Sequence, residues 1–257
     1  MAAGTDLRVT VCRARFRALS RVHFQGQAAN KLRGALGFSL DENIFRPRLE
    51  GGPSGFKNPP RPFVVHASHL DDAQFEAGGN FEVDLALFYV QPELFHQALE
   101  KTGWAELTAF QCETTHLDLS PRQEAPPRVK VVFLTPTELK GQAGQEPPEF
   151  LTLMARLRDR ISGLRAFYGP GPLALDFKRF LDGASQVRLV ESQAERIRGE
   201  RRSWRTGQTH PLGGFAGYAV YEGGFQAYLP FLEAGFYTGV GRQTVWGHGR
   251  IAVQPMD

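Results

Sequence analysis

Apolar and polar residues alternate in several short segments of the first half of the chain, and two other segments repeat their apolar residues every three or four positions. Alternation predicts β-strands, because successive side chains of a strand point to opposite faces, and the longer period predicts helices. The predicted elements are, in chain order, a strand from Leu7 to Phe16, a helix from Gln27 to Leu40, a strand from Phe63, a strand from Phe81 to Leu87, a helix from Pro92 toward Lys101, and a strand from Leu107 to Leu119.

The second half of the chain repeats this order of patterns. Its long helix is predicted from an apolar stripe that begins at Phe150 and ends at Phe167. Pro230 is an obstacle inside the last predicted helix, because proline removes a backbone donor. The predicted elements are a strand from Val129 to Leu134, the helix from Phe150, a strand from Ala184 to Arg198, a strand from Phe215 to Tyr221, a helix from Phe225 to Phe236, and a last strand at Ile251–Val253.

Both halves therefore have the order β-α-β-β-α-β, which is typical of ferredoxin-like domains and of RNA-recognition modules. The predicted fold class is α+β, with two tandem ferredoxin-like (RRM-like) domains. A proline-rich polar stretch, Pro121–Pro127, is the predicted linker. The predicted N-terminal domain is residues 1–124, and the C-terminal domain is residues 128–257. The two halves share the pattern without an obvious repeat of residues.

Composition narrows the class of protein further. The chain has 257 residues, of which 42% are hydrophobic, enough for a core of ordinary size. Apolar runs are much shorter than the ~20 residues of a membrane span, and the first residues lack the apolar core of a signal peptide. A cytoplasmic protein without a membrane partner is expected. Cys12 and Cys112 match no metal-ligand spacing and are interpreted as buried thiols, with a disulfide as the alternative. No metal or cofactor is expected.

Charge is distributed unevenly along the chain. The formal net charge is +3. Residues 1–33 hold seven basic residues and one acidic residue, residues 34–127 hold six basic and fourteen acidic residues, and residues 128–257 hold seventeen basic and twelve acidic residues. A basic start and a basic C-terminal half favour a positive surface, for which nucleic acid is a common partner. Scattered, solvated charge is the alternative.

A glycine-rich run near the C-terminus is the most informative local motif. Gly239 and Gly241 form one Gly-x-Gly pair, and Gly247 and Gly249 form a second after five residues. Glycine tolerates positive φ and permits close backbone approach, so the loop is expected to form a nest of amides that binds phosphate. Arg242 and Arg250 add permanent charge. The alternative is that the glycines only turn the chain between two elements.

A second candidate for RNA binding is a run of arginines with one tryptophan. Arginine binds phosphate through two parallel hydrogen bonds, and tryptophan can stack on a base. The alternative is a solvated charged hairpin. The candidates for RNA contact are Arg198, Arg201, Arg202, Trp204 and Arg205.

The histidines supply the candidates for acid–base chemistry, because imidazole titrates near neutral pH. The seven histidines form no HExxH motif or convincing metal cluster. His23 and Lys31 are the chosen catalytic pair: if the first helix extends back to His23, the two lie on one face. His248, within the glycine run, is the second candidate, and His66 the next. A surface or structural role is the alternative for any single histidine.

Together these motifs resemble the CRISPR-associated repeat-processing endoribonucleases of the RAMP superfamily. The similarity spans most of the chain and is most specific in the last 45 or so residues. One departure is His248, which stands where the family's glycine loop has a hydrophobic residue. The similar motifs are the glycine run 239–249, the strand Leu212–Tyr221, the proline-containing helix Tyr228–Gly235, the first-helix segment Lys31–Gly37 and the segment Phe133–Thr137.

The resemblance implies an enzyme that cuts the repeats of precursor CRISPR RNA without a metal. In such enzymes the ribose 2′-OH attacks the adjacent phosphate and leaves a 2′,3′-cyclic phosphate. It also implies that His23 and Lys31 act in catalysis, that the glycine loop supports RNA binding, and that other Cas proteins are partners. One alternative is a non-catalytic RAMP subunit that holds guide RNA in an effector complex. Another is a ferredoxin-like domain pair with a small-molecule or protein partner.

Overall fold

The computed structural model describes residues 5–47, 59–139, 147–198, 200–202, 209–211 and 213–257. Short 3₁₀ helices lie at Ser68–Leu70 and Thr244–Trp246. The helices are α1 (Ala28–Ser39), α2 (Glu42–Phe45), α3 (Pro92–Leu99), α4 (Phe150–Tyr168), α5 (Phe177–Ala184) and α6 (Leu229–Thr238). The strands are β1 (Asp6–Ala18), β2 (Val22–His23), β3 (Phe63–His66), β4 (Gln74–Phe75), β5 (Asn80–Leu87), β6 (Ala105–Asp118), β7 (Arg128–Thr137), β8 (Arg188–Ile197), β9 (Glu200–Arg202), β10 (Thr209–Pro211), β11 (Gly214–Glu222) and β12 (Ile251–Met256).

Two antiparallel four-stranded sheets organise the described chain. The first has the strand order β3-β5-β1-β6, and the second has the order β12-β7-β11-β8. In each sheet the first and third principal strands are central and the second and fourth are at the edges, which is the ferredoxin-like arrangement. The predicted α+β class with two tandem ferredoxin-like domains is therefore confirmed. The sheets lie on either side of the predicted linker, and we propose the domain boundary there.

Strand β1 explains how the two halves pack together. Its even-numbered side chains from Cys12 to Ala18 are buried in the core of the N-terminal half. Of its odd-numbered side chains, Leu7 and Val9 are buried in a second core that consists mainly of residues from the C-terminal half. Because both faces of this strand meet apolar neighbours, the N-terminal sheet is a layer between its own helices and the other domain.

The far end of the same face of β1 carries arginines instead of apolar residues. Arg13 Nε lies 2.9 Å from Asp84, Arg15 Nε lies 2.7 Å from Glu82, and Arg17 contacts Glu106 at 3.7 Å. These three basic residues of the N-terminal segment are thus paired with acids on neighbouring strands. They do not form the unopposed positive surface that the charge distribution favoured.

The two cysteines form a disulfide, so the interpretation as buried thiols is wrong. Cys12 of β1 and Cys112 of β6 are direct partners in the antiparallel ladder, with their Cα atoms 4.0 Å apart. Directly opposed positions of two antiparallel strands are among the closest pairs in a sheet. The sequence alone could not show this, because 100 residues separate the cysteines and their proximity depends on the strand register.

Candidate functional site

The glycine loop, residues 239–249, connects α6 to β12. All four glycines of its two Gly-x-Gly pairs have positive φ, from +63° to +87°. An added side chain at each of them would meet a backbone carbonyl oxygen: at Gly239 that of His248, at 2.8 Å, and at Gly247 that of Val65, at 2.5 Å. Glycine is therefore required in this loop both by conformation and by close approach.

The amide groups of the loop are largely used within the protein. Gly239 donates to the carbonyl of Gly235, Gly247 to that of Thr244, and Gly249 to that of Pro136, at 2.9–3.1 Å. An amide that already donates to a carbonyl offers no hydrogen bond to phosphate, so the expected anion-binding nest is not formed by these three glycines. Their role in RNA binding stays a prediction. The structure shows only that these glycines determine the conformation and position of the loop.

The loop reaches into the N-terminal domain. Val245 is buried in the N-terminal core, and Trp246 packs against the same core. The guanidinium of Arg33 from α1 lies over the ring of Trp246, with Cζ 4.8 Å from the centroid, and also over the ring of Phe45. The hydroxyl of Thr135 donates to the carbonyl of Gly247 at 2.8 Å. The loop is thus held by both domains and joins them.

A cleft of about 120 Å³ lies beside this loop, between the two domains. Its N-terminal wall is the start of α1 and the 3₁₀ helix at Ser68–Leu70, and its C-terminal wall is β7 and the glycine loop. Asp71 supports the first wall, because its carboxylate accepts the amide of Ala28 at 2.9 Å and its carbonyl accepts the amide of Gly26 at 2.8 Å. The lining residues are Gly26, Gln27, Ala29, Asn30, Ser68, Asp71, Thr135, Pro136, Trp246, Gly247 and His248.

His23 lies on the surface, and it is not on the helix. It is exposed in the short strand β2, where it pairs with Gln74 of β4. Gln25 and Gly26 follow with positive φ of 51° and 70°, and α1 begins only at Ala28. The condition under which His23 and Lys31 would share one helical face is therefore not met, because left-handed backbone separates His23 from α1. His23 is three residues from Gly26, which lines the cleft.

Lys31 occupies a partly buried site on α1. Its ammonium lies 4.9 Å from the ring centroid of Trp104 and 5.8 Å from that of Phe24, the residue after His23. Burial lowers the pKa of Lys31 below its ordinary value. The structure therefore places Lys31 beside the segment that carries His23, although not through the shared helical face that the sequence suggested. Whether the two act together stays a prediction.

His248 lines the cleft directly. It is partly buried, and its Nδ1 has no hydrogen-bond partner within the described chain. Burial lowers its pKa, with Glu138 opposing the effect. A neutral imidazole with an unsatisfied nitrogen at a cleft wall can accept or donate one hydrogen bond to a ligand.

His66 is a buried histidine at the junction of the domains. It ends β3, is only 8% exposed, and interacts through a backbone hydrogen bond with Tyr237 of α6. Burial, with a smaller contribution from the charge of Arg250, lowers its pKa to about 4. His69 instead lies in the 3₁₀ helix, with its ring nitrogen 3.1 Å from the carbonyl of Glu82. The two histidines do not face one ligand.

Two arginines of α4 make polar contacts that sequence reasoning missed, Arg165 with the N-terminal half and Arg160 within the C-terminal half. Arg165 is fully buried and donates to the backbone carbonyl of Asp6 in β1. The pKa of Asp6 is lowered, first by its hydrogen bond with His116 and also by Arg165. Arg160 donates to the carbonyl of Thr238, and burial lowers its pKa to about 10. An arginine in a predicted helix is usually a solvated charge, so nothing in the sequence indicated that these two arginines make such contacts.

The candidate RNA-binding arginines are on or near a long hairpin of the C-terminal sheet. Strands β8 and β9 pair with β11 and β10 in one continuous register, and Arg198 is exposed between β8 and β9. Of Arg201 and Arg202 only the backbone in β9 is described, and Trp204 and Arg205 lie outside the described residues. The ladder partners are Ile197 with Gly214, Glu200 with Pro211, and Arg202 with Thr209.

The two arginines of the glycine loop are engaged within the protein. Arg242 forms an ion pair with Glu138 at 2.7 Å, and its amide donates to the carbonyl of the same residue. Arg250 is half-buried, with Cζ 3.8 Å from the ring centroid of Phe236, and burial lowers its pKa. Contact of either residue with RNA stays a prediction.

The described residues contain no group of three His, Cys, Asp or Glu side chains placed to hold a metal ion. No helix of this part of the chain is long and apolar enough to cross a membrane.

Comparisons with known proteins agree with the motifs. Residues 131–251 match the family model of the CRISPR-associated endoribonuclease Cas6. Comparison with curated protein sequences finds no match. Among solved structures, Thermus thermophilus Cas6 is similar with a TM-score of 0.60 and 14% identity, over 98% of this chain and 100% of that chain.

Two solved complexes are also similar. A Cas6 product complex has a TM-score of 0.60 and 14% identity, over 96% of this chain and 99% of that chain. A partial Cas6-RT-Cas1–Cas2 complex has a TM-score of 0.62 and 12% identity, over 96% of this chain and 46% of that chain. At these identities the structural matches show the fold. With the family match, they confirm the resemblance to the CRISPR-associated repeat-processing endoribonucleases.

The contact between Gly247 and β3 predicts unequal effects of two glycine substitutions. In Gly78→Ala the added Cβ meets no atom within 4 Å, and only the backbone φ of +88° is unfavourable. We therefore expect a loss of about 1–2 kcal/mol in the free energy of unfolding. Gly247→Ala has a similar φ of +75° but also meets the Val65 carbonyl. We expect it to lose about 2 kcal/mol more. Urea unfolding measures both losses, and equal values would contradict the close approach.

The buried His66 predicts a pH-dependent stability. In the unfolded chain histidine takes up a proton near pH 6.5, whereas in the folded protein it does so near pH 4. The unfolded state therefore binds more protons in this window, and the folded state loses about 3 kcal/mol as pH falls from about 6.5 to 4. The free energy of unfolding of His66→Gln should lack this component. The same pH dependence in wild type and variant would contradict it.

Proposed function

We propose that this chain, whose fold and C-terminal sequence are those of the Cas6 family, cuts the repeats of precursor CRISPR RNA. The observation that carries the proposal is the family's glycine loop, which here joins both domains and forms one wall of a cleft. The other wall is the start of α1, and the segment that leads into it carries His23. The cleft therefore combines elements of both ferredoxin-like domains with residues able to move protons.

The proposed reaction is metal-independent. A base removes the proton of the ribose 2′-OH, the O2′ atom bonds to phosphorus, and the bond from phosphorus to O5′ breaks as an acid protonates O5′. The products are a 2′,3′-cyclic phosphate and a 5′-hydroxyl. We propose His23 as one of the two proton carriers, because its side chain is exposed to solvent and imidazole can both accept and donate a proton.

Lys31 is proposed to supply positive charge for the phosphorane-like transition state. Its ammonium lies over Trp104 and Phe24 rather than in a carboxylate pair. Aromatic faces hold the cation without neutralising it, so its charge stays available for the developing oxyanions. Partial burial of Lys31 on α1 lowers the pKa of its ammonium group.

RNA binding is proposed to extend from the cleft to the β8–β11 hairpin. Arg198 is exposed there, and exposed arginines can bind the phosphates of an RNA backbone. Such contacts release counterions, so affinity should fall steeply with salt. The glycine loop contributes by fixing the cleft wall, since several of its own amides are already bonded.

The proposed partners are repeat RNA and other Cas proteins. Among the similar structures, one Cas6 is in a product complex and another is part of a complex with reverse transcriptase, Cas1 and Cas2. No membrane partner is proposed, and the cytoplasm, where transcripts are processed, is the proposed location.

Cleavage of repeat RNA in EDTA tests the proposal. Single-turnover rates should be retained in EDTA and should fall by about 10²–10⁴-fold in His23→Ala, the usual contribution of a general acid or base. His96→Ala is the matched control, because His96 is also partly exposed to solvent but lies on α3 with Glu100 as its neighbour, and its rate should match wild type.

Different failures have different meanings. A His23→Ala rate within about twofold of wild type would exclude the role of His23 while leaving the nuclease activity in place. Tight binding of repeat RNA without cleavage by wild type would instead favour the non-catalytic RAMP subunit. Binding that is weak and insensitive to salt would contradict both.

A further inference from the structure

The cleft beside the glycine loop has the size of a site for one small flat group. Its volume is about 120 Å³, well below the ~300 Å³ at which pockets for drug-sized ligands begin. It cannot enclose several nucleotides. Its lining comes from both α1 and the glycine loop, and the chain reaches α1 through the segment that carries His23.

The charge of the lining disfavours phosphate. Asp71 is the charged residue that lines the cleft, and no lysine or arginine is among the described lining residues. Burial raises the pKa of Asp71, while its bond from the Ala28 amide opposes the shift. His248 is kept neutral by burial at ordinary pH. A phosphate would meet negative charge without a cation, whereas a neutral group with hydrogen-bond donors would not.

The hydrogen-bonding groups match the edge of a nucleobase. Asn30 and Ser68 bring an amide and a hydroxyl to the cleft, and His248 brings a buried Nδ1 without a partner in the described chain. Asp71 accepts the Ala28 amide through Oδ1, and a carboxylate can accept further donors. An exocyclic amino group is such a donor, and side-chain amides read base edges in many complexes.

One wall offers an aromatic surface. Trp246 lines the cleft, and Arg33 holds its ring from α1. Contact between a base and an aromatic side chain contributes about as much as a good hydrogen bond. The cleft therefore combines one aromatic ring with several polar groups, as base-binding sites do.

We propose that this cleft binds one unpaired nucleobase with an exocyclic amino group, close to the phosphate that is cut, and so fixes the position of cleavage. The inference rests on the proposed function and adds a determinant of sequence specificity to it. The glycine loop has the role of a wall that carries His248 and Trp246. Asn30, Ser68 and Asp71 read the base.

A double-mutant cycle on binding tests this. The probe is fluorescent repeat RNA in EDTA, with a 2′-deoxy nucleotide at the cut site to block cleavage, and with a single abasic nucleotide at each unpaired position in turn. At one position we expect wild-type affinity to fall about 5- to 100-fold. The same abasic change should have a smaller effect on Asn30→Ala, because one of the contacts with the base is already lost.

Controls keep folding and chemistry separate. Asn43→Ala, an exposed residue of α2, should retain the full sensitivity of wild type to the abasic change. Ser68→Ala is the second variant, and it should reduce that sensitivity in part. Replacing the sensitive base by its analogue without the exocyclic amino group should cause most of the loss of affinity that the abasic nucleotide causes.

Each other outcome overturns the inference. If abasic changes and Asn30→Ala are additive at every position, the cleft binds no base, although cleavage by wild type would show that the proposed function stands. If coupling appears with a neutral methylphosphonate instead of an abasic nucleotide, the cleft binds phosphate. If uracil is the base that is read, the amino-group requirement is wrong. Failure to bind or cut any repeat RNA removes the proposed function together with the inference.

Discussion

The close approach of the glycine loop to strand β3 is the constraint on which the rest of the structure depends. Gly247 leaves no room for a side chain beside the Val65 carbonyl of the other domain. With the loop in this position, Val245 is buried in the N-terminal core and Trp246 meets Arg33 of α1. The cleft exists because these contacts hold the loop beside the start of that helix.

Strand β1 determines where the interface between the domains ends. Its outward face is apolar at Leu7 and Val9, which are buried against the C-terminal half, and becomes charged from Arg13 onward. Apolar burial stabilises the first part of this face, while exposed ion pairs contribute little to the second. His66, which interacts with Tyr237 of the other domain, adds a neutral polar contact to the interface.

The sequence predicted the sheet class and most of the elements, because alternation and helical spacing directly reflect which faces are buried. It missed α5, whose last residue, Ala184, was the predicted start of a strand. It failed where the outcome depends on contacts distant in sequence. The disulfide required the register of β1 against β6. The expected amide nest failed because three of the four glycine amides already donate within the protein, Gly249 to the distant Pro136 and the other two to carbonyls close in sequence. The start of α1 was predicted to within one residue, but the sequence did not show that His23 lies outside the helix, because Gln25, which has positive φ, is not a glycine.

The candidate site was only partly visible in the sequence for the same reason. The glycine loop was marked by its spacing, but Asn30 and Asp71 carry no motif, and they meet the loop only in the folded chain. His248 differs from the family pattern, and this difference was the one feature of the sequence that singled out a side chain of the cleft. Which histidine would serve in the proposed reaction cannot be read from spacing, because His23, His66 and His248 lie on separate segments of the fold.

Crosslinking from the cut site tests the central claim most directly. Repeat RNA with 4-thiouridine next to the scissile phosphate is bound in EDTA, irradiated, and digested, and the attached peptides are identified by mass spectrometry. The account predicts crosslinks within residues 23–31, 66–71 or 243–249, the segments that surround the cleft. Crosslinks confined to the charged face of β1 beyond Arg13, or to α4, would show that the RNA is cut elsewhere and would contradict it.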